Sequence, residues 1–275
     1  MATARGIAVR DTILWVEDTG ERDLPPIICL HSLFLDGRMF DGLVAAAAGR
    51  FRVIRPDFRG QGNSAPSTGD IVDMDCCADD IIALIEHMQL PPVAVAAASM
   101  GGDVAVRIVA RRPDLFASLV MMGSSVRGEP PEQRAHFREL LDRTKQDGFA
   151  GDDLDLMMSI MFGATTRARP EAQPMLDHWR RRIGLLPRST WPAMYGVVER
   201  AGAADLLSRI SVPALVYSSE EDIARPIEWS REVADGIADA RLVTLNGVGH
   251  SPVLEAPDIV IPQMLDFMAE AARRA

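Results

Sequence analysis

Cysteine is scarce in this sequence, with three residues among 275, and this scarcity limits the available chemistry. Cys29 lies in an apolar run, whereas Cys76 and Cys77 are adjacent, so the spacing suggests no disulfide framework. No cysteine and histidine spacing is typical of a zinc site either. We therefore expect no bound metal, and the cysteine usage favours a reducing cytoplasm.

The sequence also lacks a long hydrophobic run and an excess of positive charge. No stretch of eighteen apolar residues could span a bilayer, and residues 1–15 contain no signal-peptide core. The formal net charge of −10 argues against a nucleic-acid partner, whose phosphates would be repelled. We expect a cytoplasmic monomer or homodimer that binds neither nucleic acid nor membrane.

What the sequence does have is the composition of a globular protein, with 48% hydrophobic and 25% charged residues. Short apolar runs alternate with helical patterns up to about residue 124 and again from residue 210. This alternation is typical of an α/β fold, in which a mostly parallel sheet is flanked by helices. We predict a core of residues 1–124 and 210–275, with residues 125–209 inserted as a helical cap. The predicted cap helices cover 134–146, 154–162, 174–183 and 191–201.

The sequence Ala-Ala-Ser-Met-Gly-Gly at residues 97–102 joins an apolar run to a helical pattern. A serine flanked by small residues at such a turn adopts a strained backbone conformation that projects its hydroxyl group. Ser99 is therefore a candidate nucleophile. The alternative is that Ser99 only caps the following helix, since serine is a favoured N-cap residue.

A nucleophilic serine needs a base, and the sequence offers only five histidines. His250 differs from the others because it follows a short strand pattern, in the loop Asn-Gly-Val-Gly-His-Ser-Pro at residues 246–252. A histidine on such a loop can reach a nucleophile at a neighbouring strand end. The alternative is a solvated loop histidine with no partner.

The base in turn needs an acid that orients it. Glu220, Glu221 and Asp222 follow the apolar strand pattern of residues 212–218. The pattern alone does not select one of these three acids, and a solvated turn would account for two of them. The chain order of serine, acid and histidine is that of one fold in particular.

Over almost its whole length the sequence resembles the α/β-hydrolase superfamily, and within it the small carboxylesterase and 3-oxoadipate enol-lactonase group. The turn at Ser99 resembles the motif G-x-S-x-G, with Ala97 in place of the first glycine. Four further segments carry the resemblance: the strand and His-Ser turn at 27–32, the D-x-R-G-x-G-x-S turn at 57–64, the acid loop at 212–226, and Gly249-His250.

The resemblance implies an eight-stranded, mostly parallel sheet with a helical cap. Aligning the acid loop selects Asp222 as the acid of a catalytic triad with Ser99 and His250. The implied reaction is hydrolysis of a small to medium carboxylic ester or lactone through an acyl-enzyme intermediate, and it requires no cofactor.

The resemblance also implies an oxyanion hole, formed by the main-chain N–H groups of Leu33 and Met100. His31 and Ser32 precede Leu33 and are candidates for contact with the substrate. Ser32 and Ser219 stand where the family pattern has glycine. These two departures affect the local loop geometry and not the residues that perform the chemistry.

The predicted cap is rich in large apolar side chains. Met157, Met161 and Trp191 are candidates for the roof of a substrate pocket, because flexible methionines accommodate varied apolar groups. The alternative is that these residues only pack the cap onto the core.

Other activities on the same fold differ in their nucleophile or their cap. Haloalkane dehalogenases and epoxide hydrolases use aspartate where this sequence has Ser99, and epoxide hydrolases also use two cap tyrosines. Of the two tyrosines in this chain, only Tyr195 falls in the predicted cap. A cofactor-free haloperoxidase and a C–C bond hydrolase stay open as alternatives. The non-enzymatic alternative is a hydrolase-fold ligand-binding protein, which the complete triad disfavours.

Overall fold

The computed structural model describes residues 2–274, and a single eight-stranded sheet forms the centre of the fold. The strands are β1 (Thr3–Val9), β2 (Thr12–Asp18), β3 (Pro26–Leu30), β4 (Arg52–Pro56), β5 (Val93–Ala98), β6 (Phe116–Met122), β7 (Ala214–Ser219) and β8 (Ala240–Leu245). Their order across the sheet is β1-β2-β4-β3-β5-β6-β7-β8.

The sheet is antiparallel only at one edge. β1 pairs antiparallel with β2, and β2 pairs antiparallel with β4, whereas the remaining neighbours are parallel. Ile27 and Ile28 of β3 point to opposite faces, and both are fully buried. Both faces of the sheet are therefore covered, and the predicted mostly parallel α/β sheet is confirmed.

Helices cover the sheet and fill the connection between β6 and β7. Within residues 2–274, no helix combines the length and the apolar character needed to cross a bilayer. Helix α2 packs against α3, and α1 packs against α11. The helices are α1 (Asp41–Ala47), α2 (Met74–His87), α3 (Met100–Arg111), α4 (Pro131–Thr144), α5 (Gly151–Met161), α6 (Ala164–Ala168), α7 (Gln173–Gly184), α8 (Trp191–Val198), α9 (Ile227–Gly236), α10 (Pro252–Glu255) and α11 (Pro257–Ala272).

Helices α4 to α8 lie between β6 and β7, in residues 125–209, which we call the cap segment. The ends of α4, α5, α7 and α8 lie within three residues of the predicted ends. The short helix α6 was not predicted, because its sequence Ala-Thr-Thr-Arg-Ala has no apolar repeat. The amide of Ala203 donates to the carbonyl of Val126 at 2.7 Å, so the two ends of the cap segment run side by side.

The turn after β4 is built around the carboxylate of Asp57. Its Oδ1 accepts a hydrogen bond from the amide of Gly37 at 2.9 Å, and its Oδ2 accepts one from the amide of Asn63 at 2.8 Å. Gly62 has a φ of +54°, and a methyl group there would lie 2.2 Å from Oδ2 of Asp57. Only glycine fits this position, which explains one of the small residues in the predicted turn.

Candidate active site

Ser99 occupies the sharp turn between β5 and α3. Its backbone angles are φ 50° and ψ −114°, and strain of this kind typically costs about 1–3 kcal/mol. A methyl group on Gly101 would lie 2.1 Å from the carbonyl oxygen of Leu30, so the helix can approach β3 only with glycine there. The side chain of Ser99 makes no capping hydrogen bond, which removes the helix-cap alternative.

Ser99, His250 and Asp222 form a continuous hydrogen-bonded line. Nε2 of His250 lies 2.8 Å from Oγ of Ser99. Nδ1 of the same ring lies 2.9 Å and 3.0 Å from Oδ2 and Oδ1 of Asp222. The three residues are 8%, 4% and 6% exposed, in the same order. In this geometry the ring can accept the serine proton while the carboxylate fixes the orientation of the ring.

Asp222 is held in place by the backbone of its own loop. The amides of Ala224 and Arg225 both donate to Oδ1 of Asp222 at 2.9 Å. These two hydrogen bonds leave both carboxylate oxygens within reach of Nδ1 of the His250 ring. The acid is therefore oriented before any substrate binds.

The neighbouring glutamates have other partners. Glu220 accepts a hydrogen bond from the amide of Gly247 at 3.1 Å. Glu221 accepts from the amide of Thr165 at 2.8 Å and from its hydroxyl at 2.5 Å, and these bonds hold the pKa of the Glu221 carboxyl below its usual value. The structure thus brings Asp222 to the histidine and places both glutamates in loop contacts.

The two amides implied as the oxyanion hole belong to Met100, which is next to Ser99 in the chain, and to Leu33, which lines the same cavity as Ser99. Met100 directly follows Ser99 and is the first residue of α3, so the helix itself provides no acceptor for its amide. Leu33 and Ser32 lie in the loop after β3 and line the cavity at Ser99. The hydroxyl of Ser32, which stands where the family pattern has glycine, donates to the carbonyl of Leu33 at 3.2 Å within this loop.

His31 does not contact the cavity, and the expectation that it binds substrate is corrected. The ring is fully buried, and its Nε2 accepts a hydrogen bond from the amide of Phe58 at 3.0 Å. Its Nδ1 lies 2.9 Å from the carbonyl of Ser32 and therefore donates to it. The ring connects the loop after β3 to the turn after β4, and both of its nitrogens are used within the protein.

A mostly apolar cavity of about 590 Å³, including its open side, begins at Ser99 and His250. Ligand sites are typically concave and mostly apolar, with a few polar groups, as this cavity is. The predicted roof residues Met157 and Met161 both line it. The other large apolar side chains that the cap segment contributes are Phe137, Leu140, Leu141, Ile160, Met194, Val197 and Val198.

Trp191 does not line this cavity, which corrects the third predicted roof residue. Its indole Nε1 donates to the carbonyl of Leu141 at 3.1 Å, and its ring stacks on Phe149 at a centroid distance of 5.4 Å. Trp191 is 1% exposed and therefore packs the interior of the cap segment. Sequence spacing could not distinguish it from a pocket residue, because both kinds of position are apolar.

Glu255 is a buried residue of the site that the sequence-based interpretation missed. Its Oε1 accepts a hydrogen bond from the amide of Ser251 at 2.9 Å, and its Oε2 accepts one from the amide of Gly249 at 3.0 Å. These two amides flank His250. The same Oε2 also accepts from the amide of Gly163, in the cap segment, at 2.8 Å. One carboxylate therefore connects residues 246–252, which we call the histidine loop, to the cap segment. The sequence signal that could have indicated this residue is a glutamate within the otherwise apolar run Pro-Val-Leu-Glu-Ala at residues 252–256.

A cluster of five charged side chains joins helix α3 to the two ends of the cap segment and to the loop after β7. Nε of Arg200 lies 2.7 Å from Asp103, and its NH1 lies 2.7 Å from Oε1 of Glu129. NH2 of Arg225 lies 3.0 Å from the same Oε1, and Arg107 pairs with Asp103. We call these five residues the charge cluster.

Burial and charge act in opposite directions on the Glu129 carboxyl but together on the Arg225 guanidinium. Burial tends to raise the pKa of the Glu129 carboxyl, but the charges of Arg225 and Arg200 outweigh it and hold that pKa below its usual value. Burial, reinforced by the charge of Arg200, lowers the pKa of the Arg225 guanidinium. Glu129 is consequently ionised at neutral pH and can only accept hydrogen bonds.

Comparison with known proteins agrees with this architecture. The family model described as alpha/beta hydrolase fold matches residues 25–257. The chain therefore belongs to the α/β-hydrolase family.

The relatives within this family include esterases, a lactonase and a peroxidase. The chain is 27% identical to a non-heme chloroperoxidase from Streptomyces lividans, over 94% of this chain and 96% of the relative. A thermophilic esterase from Thermogutta terrifontis superposes with a TM-score of 0.87 at 27% identity, covering 98% and 99% of the two chains. An enol-lactonase from Burkholderia xenovorans superposes with a TM-score of 0.88 at 26% identity, covering 96% and 100%.

Proposed function

We propose that this protein is a serine hydrolase that cleaves small to medium carboxylic esters or lactones. The observation that carries the proposal is the hydrogen-bonded line of Ser99, His250 and Asp222, which opens onto a mostly apolar cavity. Similarity to an esterase and an enol-lactonase over nearly the whole chain supports the same reaction class.

In the proposed reaction, Nε2 of His250 takes the proton of Ser99 as Oγ attacks the ester carbonyl carbon. The negative charge that develops on the carbonyl oxygen is stabilised by the amides of Leu33 and Met100. His250 then gives its proton to the departing alkoxide, which leaves an acyl group on Ser99. Water attacks this acyl-enzyme, with His250 again as base, and releases the carboxylic acid and free serine.

A second candidate function is favoured by the similarity to the chloroperoxidase. In that case hydrogen peroxide, instead of water, would attack the acyl-enzyme and release a peracid. The peracid would then oxidise a halide ion. The same three residues would serve both reactions, so the nucleophile of the second step distinguishes them.

Replacing the nucleophile tests the proposal. We expect Ser99→Ala to lower kcat on p-nitrophenyl esters by about 10⁴-fold, because the attacking oxygen is lost and only binding and the oxyanion hole act on the ester. A fluorophosphonate probe should label the wild-type protein and not the variant. Undiminished labelling of Ser99→Ala would refute the assignment. Bromination of a dye with hydrogen peroxide and acetate, compared with hydrolysis of acetate esters, separates the two candidate functions.

A further inference from the structure

Phe34, in the loop after β3, has a backbone conformation that favours glycine. The amide of Leu35 donates to the carbonyl of Ser32 at 3.3 Å, which closes a tight turn with Leu33 and Phe34 as its central residues. The φ of Phe34 is 71°, and Leu33 is not among the residues with a positive φ. A turn in which only the second central residue has a positive φ normally has glycine there. Phenylalanine at this position is therefore unfavourable for the backbone.

Three other non-glycine residues among residues 2–274 have a positive φ, and they differ from Phe34. Arg10 and Gln89 are exposed polar residues in surface turns. Ser99 is the candidate nucleophile. Phe34 is large and apolar, and it directly follows Leu33, whose amide is implied in the oxyanion hole. Backbone strain is concentrated at functional sites, where the surrounding structure maintains it, so we looked for a role of the Phe34 side chain in substrate binding.

Phe34 lies where the cavity at Ser99 meets a groove on the surface. It is partly exposed, whereas Leu33, Ser99 and Met157 of the same cavity are buried. Among residues 2–274, Phe34 is the one residue that lines both the cavity and the groove. The other residues of the groove are Leu35, Asp36, Gly62, Arg182, Leu185, Leu186 and Pro187.

The ring of Phe34 reaches from the core to the cap segment. Its centroid lies 5.7 Å from that of Phe149, and the two ring planes are nearly perpendicular, at 87°. Phe149 belongs to the cap segment, is buried, and stacks on Trp191. The Phe34 ring therefore bridges the loop after β3 and the cap segment at the boundary between the cavity and the groove.

We propose, on the basis of the proposed hydrolase function, that Phe34 is a specificity-determining residue whose ring closes the cavity toward the groove. The preferred substrates are then esters or lactones whose alkyl group ends inside the cavity. Longer unbranched chains meet the ring and are disfavoured. Glycine would relieve the backbone strain but would leave the cavity open on this side, which explains why a strained phenylalanine occupies the turn.

Two series of esters of graded length test this inference on the wild-type protein. The p-nitrophenyl esters from acetate to dodecanoate vary the acyl chain, and the acetates from methyl to dodecyl vary the alcohol chain. In at least one series we expect kcat/KM to fall by about ten-fold or more within one or two added methylenes, which defines the length limit. The series that shows the limit identifies the half of the substrate that points toward Phe34.

The variants Phe34→Gly and Phe34→Ala test whether the ring sets this limit. Both remove the ring, so for esters just above the wild-type limit kcat/KM should rise by about ten-fold or more, while acetate esters change only a few-fold. The two variants differ in strain, because alanine retains a Cβ atom at a positive φ. The melting temperature of Phe34→Gly should therefore exceed that of Phe34→Ala by about 2–4 °C. The matched control is Gln89→Gly, which relieves the same kind of strain at an exposed turn and should keep the wild-type length limit.

A double variant tests where the longer chain lies. Leu185 lines the groove and is 81% exposed, so an aspartate there is solvated and does not disturb the fold. In Phe34→Gly combined with Leu185→Asp, the charged side chain should oppose an alkyl chain in the groove. We expect kcat/KM for the longer esters to fall back by about ten-fold toward the wild-type value.

Four outcomes would overturn the inference. The first, which requires no variant to fold, is a wild-type protein without a length limit in either series. The second is a limit that stays unchanged in Phe34→Gly and Phe34→Ala. Loss of activity on acetate esters in both variants would instead assign Phe34 to positioning of the Leu33 amide. A double variant as active on the longer esters as Phe34→Gly would place their chains outside the groove. Failure of the wild type to hydrolyse any ester would refute the proposed function itself, whereas hydrolysis with any of the four outcomes would refute only the role of Phe34.

Discussion

Three consecutive residues with carboxylate side chains follow β7, and each forms hydrogen bonds with a different partner. Glu220 binds the amide of Gly247, Glu221 binds Thr165, and Asp222 binds the ring of His250. The chemistry of a triad acid depends on that last contact, because the carboxylate fixes the tautomer of the ring and stabilises the imidazolium ion that forms.

We expect Asp222→Asn to lower kcat by about 10⁴-fold while leaving the melting temperature close to that of the wild type. An asparagine amide keeps the shape of the side chain but removes the charge and favours the wrong tautomer. Steady-state kinetics on a p-nitrophenyl ester at neutral pH measures the effect.

The neighbouring glutamates provide matched controls for this variant. Glu220→Gln and Glu221→Gln remove the same charge from the same loop, and each should retain kcat within a few-fold of the wild-type value. A large loss of kcat in Glu221→Gln, with Asp222→Asn nearly unaffected, would show that the acid is misassigned.

Sequence patterns indicated Ser99 and His250 as the candidate nucleophile and base, but they could not select a candidate acid without the family resemblance. Ser99 and His250 each lie in a turn whose small residues are close to a strand end, and such turns can be recognised from the sequence alone. Glu220, Glu221 and Asp222 share one loop, and only the fold determines which of them faces the histidine. His31 was misinterpreted for the same reason, since its two hydrogen bonds connect loops that are distant in sequence.

At the level of elements, the histidine loop depends on helix α10, which ends at Glu255. The carboxylate of Glu255 accepts the amides on both sides of His250 and one amide from the cap segment. The position of the His250 ring is thus set by a residue whose hydrogen bonds go to the neighbouring amides and not to the ring. Glu255 acts as a positioning residue.

Glu255→Gln should therefore affect both turnover and stability. A glutamine has one acceptor oxygen, so at least one of the three amides loses its partner and meets an NH₂ group instead. We expect the free energy of unfolding to fall by about 1.5–3 kcal/mol. We also expect kcat to fall by roughly ten-fold or more, because the ring loses its alignment, with little change in KM.

Thermal unfolding, steady-state kinetics and the rate of fluorophosphonate labelling measure the two effects separately. Glu270→Gln is the control, since Glu270 forms only exposed ion pairs with Arg241 and Arg274, which contribute little to stability. A lower melting temperature with unchanged kcat and labelling rate would mean that Glu255 supports the fold alone.

At the level of the whole molecule, residues of the cap segment and of the core together line the cavity at Ser99. Met157 and Met161 supply part of its wall from helix α5, while Trp191 packs inside the cap segment. Length preference should therefore depend on the two methionines, and Trp191 should affect stability.

We expect Met157→Ala and Met161→Ala to shift the preferred acyl chain toward longer esters, because each removes bulk from the cavity wall. One methylene in such a pocket changes binding by about 1–3 kcal/mol, so the shift should be graded. The kcat/KM values for a series of p-nitrophenyl esters report it. Trp191→Ala should instead lower the free energy of unfolding by about 3–5 kcal/mol and leave the length profile unchanged. If neither methionine variant alters the profile, the acyl chain binds elsewhere.

The alternation of strands and helices allowed the fold and most cap helices to be predicted, and the predicted ends of α7 differ from the observed ends by one residue. Periodicity carries no information about contacts between distant segments. The charge cluster joins α3, both ends of the cap segment and the loop after β7, and its members look like ordinary surface charges in the sequence. The charge cluster could therefore not be predicted from the sequence.

Oε2 of Glu255, which accepts from the amides of both Gly163 and Gly249, also has a consequence for the order in which the chain folds. Gly163 and Glu255 are 92 residues apart in the chain, and they meet only when the cap segment has docked beside the histidine loop. Contacts of such long range form late, because closing a long loop costs entropy before any contact is gained. We therefore expect His250, the proposed base, to reach its position beside Ser99 late in folding. On the proposed function, hydrolytic activity would then appear only after the cap segment has docked.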